Sequence, residues 1–305
     1  MSATLDAEPV SAYLDGCPRL RSEGRRFDVR IDHLSEPDDR PLSIQVTAAV
    51  RRILRDEPTG DLLIFLPGAA EIRRAEQALA PLAEASRVVV LALHGDLSLA
   101  AQARVVAPSD RRKVILSTNV AETSVTIDGV VAVIDSGLAR IAGHSPFTGL
   151  PTLSLAKISQ ASATQRAGRA GRTRPGVALR LYTRHDFDGR RTHDVPEIAR
   201  ADLAEVVLTL RAQGIRDVGG FDWLTPPPPS ALATAEQLLW RLGAVEPKGT
   251  LTATGTRMLR FPVHPRLGRL LVEGEHRGIA HEAATLVAAG RSVNTWTRTL
   301  VPAGA

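Results

Sequence analysis

The chain has 305 residues, 44% of them hydrophobic, with 38 Lys and Arg against 33 Asp and Glu for a formal net charge of +5. That length accommodates more than one core, since domains run to about 100–150 residues, and the modest positive excess suits an anionic partner without identifying one. The lone Cys17 excludes an intramolecular disulfide or a cysteine-rich metal cluster; with no secretory leader pattern and no apolar run of roughly 20 residues, a protein of the reducing cytoplasm is expected.

In chain order, residues 1–41 read as charged, turn-rich linker text, ending in LSEPDDRP at 34–41. Short apolar runs follow: LLIFL (62–66), VVVLAL (88–93), KVILS (113–117), VVAVID (130–135) and VALRLY (177–182). Runs of that length predict strands buried on both faces. Alanine-rich amphipathic segments at 70–82 and 99–106 predict helices, the second with Ser98 as N-cap. The alternation predicts an α/β fold, a parallel sheet with helices on both faces. Ligands of such sheets bind beyond the carboxyl ends of the strands, so 94–98, 118–124 and 160–172 are expected there.

Two arms around a turn at 145–151 predict a β-hairpin between Asp135 and Gln160. Next comes QRAGRAGR (165–172), which spaces Arg169 and Arg172 one helical turn apart behind Gln165. Two planar guanidinium forks at that spacing can address one phosphate. Gly168 and Gly171 weaken a helix and point instead to a close backbone approach. Further on, 196–214 predicts one periodic helix ended by Gly214, and four prolines (226–229) precede a second helix at 230–242. Two short strands are expected around the Pro-Lys-Gly turn within 242–255, and helices resume at Pro265.

QRAGRAGR resembles the last motif of superfamily 2 RNA helicases of the DEAH type. LIFLPGAAEI (63–72), LHGDLS (93–98) and STNVAETSVTIDG (117–129) resemble three earlier motifs in the family's order. ISQASATQRAGRAGR together with LTATGTRMLRFPVHPRLGRLL is most similar to the bacterial HrpB-type subgroup. MSATL (1–5) resembles the SAT motif that closes the first RecA-like domain, while no GxxxxGK[ST] loop and no DExH box is present. The expected organisation is therefore the end of a first RecA-like domain and linker (1–41) and a second RecA-like domain (42–191). A winged-helix domain (192–263) and the start of a helical bundle (264–305) follow.

The resemblance implies an ATP-dependent 3′-to-5′ RNA helicase, using ATP and Mg²⁺, of which this chain is a part that is inactive alone. Its implied partners are single-stranded RNA and an N-terminal RecA-like domain carrying the phosphate loop and the Mg²⁺ ligands. Gln165, Arg169 and Arg172 match catalytic positions that orient water or the γ-phosphate and neutralise transition-state charge. Asp128 matches a ribose contact, with a turn-forming role before Gly129 as the alternative. Gly95, Thr118 and Asn119 match positions that grip RNA phosphates, with loop bracing as the alternative. Glu122 and Thr123 are candidates for supporting that loop. Val106 stands where many relatives carry an aromatic that stacks on adenine, which implies weak purine discrimination. The hairpin matches one that projects toward nucleic acid, and a plain surface hairpin is the other reading. A stand-alone nucleic-acid-binding or interaction module is the competing function.

Overall fold

The computed structural model describes residues 7–20, 27–57, 59–123, 125, 127–144 and 151–291. The SAT-like segment 1–5 and the hairpin turn at 145–150 lie outside them. Two compact units divide the chain, one of residues 1–142 and 151–195, the other of 143–150 and 196–305.

In the first unit the elements run α1 (Ala7–Tyr13), β1 (Val29–Leu34), α2 (Leu42–Asp56), β2 (Asp61–Phe65) and α3 (Ala69–Ala85). Then come β3 (Val89–Leu93), α4 (Leu99–Val106), β4 (Lys113–Ser117), α5 (Val120–Thr123), β5 (Val130–Asp135), β6 (Leu138–His144) and β7 (Pro151–Lys157). The unit closes with α6 (Gln160–Ala167), β8 (Gly176–Thr183) and α7 (Arg184–Asp188). Six strands form a parallel sheet in the order β1-β8-β5-β2-β4-β3, and β6 and β7 pair separately.

Period-two side-chain alternation divides the apolar runs between the two faces. Leu62 and Ile64 join Val46, Val50, Ile72 and Leu79 of α2 and α3 on one face. Leu63 and Phe65 join Val105, Ala167 and Ala170, from α4 and the α6 region, on the other. The strands are therefore covered on both sides, as their continuous apolar text requires.

One expected linker segment is a strand. VRIDHL forms β1 and pairs with β8, Val29 opposite Gly176 and His33 opposite Arg180. Its charges at Arg30 and Asp32 concealed it, because an edge strand tolerates and even favours charge where a central one does not.

The second unit holds a short 3₁₀ turn (Glu197–Ala199), α8 (Ala204–Ala212), α9 (Pro229–Arg241), α10 (Ala253–Met258), α11 (Pro265–His276) and α12 (Ala280–Arg291). The single helix expected over 196–214 is thus broken, and its second half restarts where Asp202 Oδ1 accepts the Ala204 N–H. Gly214 ends α8 at φ +87°, a conformation glycine adopts without strain. The expected pair of strands reduces to one antiparallel bridge, Val245 to Leu251, around a turn in which the Gly249 N–H bonds the Glu246 carbonyl. Thr252 then caps α10 through its hydroxyl, so the chain leaves extended structure early. Gly274 lets α11 and α12 cross closely, since a Cβ there would lie 2.4 Å from the Ala283 Cβ.

Candidate functional site

The parallel ladder sorts the candidate residues onto two opposite edges of one sheet. Gly95 follows β3 and Thr118 and Asn119 follow β4, so all three stand at the carboxyl edge. The Thr118 N–H bonds the Leu93 carbonyl at 3.1 Å and ties the two loops together. Gly95 and Asn119 are exposed and Thr118 is half-buried. Open backbone, amide and hydroxyl at one rim are a donor set that suits phosphate oxygens.

Asp128 precedes β5 and Arg172 precedes β8, so they belong to the amino edge instead. The expectation that 160–172 lies wholly at the carboxyl edge is therefore corrected. Helix α6 begins beside the end of β5, where the Ile158 N–H bonds the Gly137 carbonyl. Its eight residues cover about 12 Å and run against the strand direction, as a crossover into a parallel strand must. By Gly171 the chain has met the start of β1: the Phe27 N–H bonds the Gly171 carbonyl, and a Cβ on Gly171 would lie 2.5 Å from the Phe27 carbonyl oxygen. Close approach explains Gly171, whereas Gly168 meets no such backbone. Val106, at the end of α4, is at the amino edge as well, since Lys113 Nζ, from the first residue of β4, bonds the neighbouring carbonyls of Val105 and Ala107.

Arg169 and Arg172 do not share one helical face. Helix α6 ends at Ala167, and the Arg169 and Ala170 N–H groups bond the carbonyls three residues back. Arg172 is exposed, whereas Arg169 is buried and donates to the backbone carbonyls of Glu122 and Val125, the latter at 3.1 Å. Burial, followed by the charge of Arg172, brings the Arg169 pKa down to about 10, which leaves it cationic at neutral pH. Gln165 lies half-buried in the last turn of α6.

Sequence reading passed over Arg166, which the fold makes central. It is wholly buried, donating from Nε to Glu122 Oε2 at 3.1 Å and from Nη1 to Asp135 Oδ1 at 2.8 Å, with its guanidinium 4.8 Å from the Phe65 ring centroid. Burial alone would depress its pKa, but Asp135 and Glu122 outweigh it and hold the pKa above the ordinary value. Glu122, foreseen as a loop support, also accepts the Ser162 hydroxyl at 2.7 Å, joining α5 to α6. The side chain of Thr123 lies outside the described residues. Asp135 further accepts the Tyr182 hydroxyl at 3.0 Å. A carboxylate closing the otherwise apolar run VVAVID was the available signal, since a buried charge demands a partner.

Among the described residues no group of three or more His, Cys, Asp or Glu is arranged to hold a metal, and no helix is long and apolar enough to cross a membrane. Residues 45–174 match the family model of the helicase conserved C-terminal domain, and 235–263 match that of the helicase-associated domain HA2, a winged helix. Two solved structures are similar over 96% of this chain at 38% identity. They are the Escherichia coli DExH-box NTPase HrpB (TM-score 0.84, 36% of that chain covered) and the Escherichia coli DEAH/RHA helicase HrpB (TM-score 0.87, 37% covered). The chain thus spans a little over a third of the length of these relatives.

Proposed function

Because this chain belongs to the DEAH-type superfamily 2 helicases, as an HrpB-like member with a RecA-like sheet and an HA2 winged helix, we propose that it is the part of an ATP-dependent RNA helicase that supplies arginine donors to hydrolysis and grips the RNA backbone. The observation that carries this reading is the division of the candidate residues between opposite edges of one sheet. Strand-gripping groups stand at one edge, and Asp128, Arg172 and Val106 at the other.

The residues assigned to the nucleotide fit it by their chemistry, with Asp128, Arg172 and Val106 at the amino edge and Gln165 and Arg169 in the segment that leads to it. Exposed Arg172 offers a planar fork to phosphate oxygens. Arg169 braces the loop through Glu122 and Val125, and keeps its charge beside Arg172 to favour developing negative charge. Gln165 orients the attacking water by hydrogen bonds, and the exposed Asp128 accepts from ribose hydroxyls. Val106 provides an apolar surface without a π face, so purine discrimination is weak. ATP, when bound, supplies the transferable phosphoryl group. The described residues offer no cluster of ligands for Mg²⁺.

At the carboxyl edge, Gly95, Thr118 and Asn119 hold phosphates and leave the bases unread, which makes binding indifferent to sequence and steeply dependent on salt. Titrating labelled single-stranded RNAs of different sequence into the chain at several salt concentrations tests this. Similar affinities that fall together with salt, and weaken in Asn119→Ala, support the reading; salt-independent binding or a strong preference for one sequence contradicts it. The chain alone is expected to release no phosphate from ATP above background, and RNA-stimulated turnover by the isolated chain would overturn that part.

A further inference from the structure

The buried polar groups behind the two edges form one connected network, and it reaches the base of the β6–β7 hairpin. Gly137 immediately precedes β6 and Ile158 immediately follows β7. Arg190 Nη1 donates to the carbonyls of both, at 2.8 and 3.4 Å. Its guanidinium lies 3.8 Å from the Tyr182 ring centroid, and its Nε donates to Asp186 Oδ1 at 2.6 Å. Gly137, at φ +71°, has no room for a side chain, since a Cβ would lie 2.5 Å from Arg190 Nη2 and 2.6 Å from the Tyr182 ring. Tyr182 donates its hydroxyl hydrogen bond to Asp135 Oδ2, while Asp135 Oδ1 accepts from the Gly137 N–H at 2.9 Å and from Arg166. Arg166 holds the Glu122 carboxylate, and the Glu122 carbonyl accepts from Arg169.

Every charged member between Arg190 and Arg166 is shielded from solvent, so none can be left unpaired without a large penalty. The apolar anchorage of the hairpin base is small, with Ala139, Ile158 and Ala163 packed with Phe187. A displacement at the hairpin base is therefore passed along the polar chain in preference to being absorbed in a deep core.

We propose that Asp135 and Tyr182 are positioning residues that make the hairpin base and the Arg169 turn one mechanical unit, so that a strand engaging the hairpin resets the Arg169 donor. Only the identity of what engages the hairpin rests on the RNA reading above.

Hydrogen exchange on the whole chain tests the coupling. Tyr182→Phe removes the hydroxyl but keeps the ring under Arg190. Losing one hydrogen bond to a buried carboxylate corresponds to about a tenfold change in local opening. Exchange is expected to accelerate by about that factor both at 137–142 and 152–158 and at 164–171, with β2 and β4 unchanged. Acceleration confined to the hairpin, or absent from both segments, overturns the proposal. If Tyr182→Phe also loosens β2 and β4, Arg190→Lys decides by the same criterion, because lysine keeps the charge toward Asp186 and loses the two-pronged grip. Adding oligouridylate is expected to slow exchange at both segments in the parent and at the hairpin alone in Tyr182→Phe. Protection of the parent hairpin without the turn contradicts the coupling. No protection of the parent hairpin overturns its engagement by the strand and leaves the RNA reading at Gly95, Thr118 and Asn119 to its own titration, while the ligand-free comparison still decides the coupling.

Discussion

Arg166 and Asp135 form an ion pair at 2.8 Å, with the arginine side chain fully shielded and the aspartate nearly so. Removing one partner of such a pair strands the other charge away from water. Arg166→Met should therefore cost about 3–5 kcal/mol of stability, more than the loss of its packing alone. Chemical denaturation measures this directly. A loss below about 1 kcal/mol would show that Asp135 and Glu122 find other partners.

Much of this architecture was legible from local text. The apolar runs identified five strands, and Ser98 does cap α4, its hydroxyl accepting the Ala101 N–H. β1 escaped because an edge strand need not be apolar, and the helix over 196–214 was overdrawn because periodicity ignores where Asp202 competes for a backbone N–H. The arginine motif was read as one helical face, and the tightening after Ala167 that separates buried Arg169 from exposed Arg172 has no period to reveal it. The partners of Arg166 are 44 and 31 residues away in sequence, and only the fold brings them together.

Gly171 and Gly95 should respond oppositely to alanine. A Cβ at Gly171 runs into fixed backbone at Phe27, whereas one at Gly95 meets nothing within 4 Å. Gly171→Ala is expected to cost roughly 1–3 kcal/mol and to speed amide exchange along β1, the strand it displaces. Gly95→Ala should stay within about 0.5 kcal/mol. Equal stabilities of the two variants would contradict the close packing at Gly171.

The β1 edge should weaken in mild acid. Burial first, then the charges of Arg180 and Arg184, hold the His33 pKa below its ordinary value, with Asp188 and Asp32 opposing. Arg180 Nη1 lies 3.1 Å from His33 Nε2, and it can donate only to a neutral imidazole. The unfolded chain thus binds the proton more readily, so this contribution is complete above about pH 6.5 and is lost as pH falls toward the lowered folded value. Protection of the β1 amides, with the intrinsic pH dependence of exchange divided out, should fall on acidification through that window, and His33→Gln should abolish the dependence. A profile unchanged by the substitution would assign the titration elsewhere.

The central claim is that the amino edge serves the nucleotide and the carboxyl edge the nucleic acid. Arg172→Lys, placed in the longer polypeptide with its phosphate-loop domain, tests it most directly. Lysine keeps the charge but not the planar two-pronged contact, so kcat for ATP hydrolysis should fall on the order of a thousandfold. Affinity for single-stranded RNA, measured on the same preparation, should stay at the parent value because Gly95, Thr118 and Asn119 stand at the other edge. Hydrolysis at the parent rate, or loss of RNA binding with turnover retained, would contradict it.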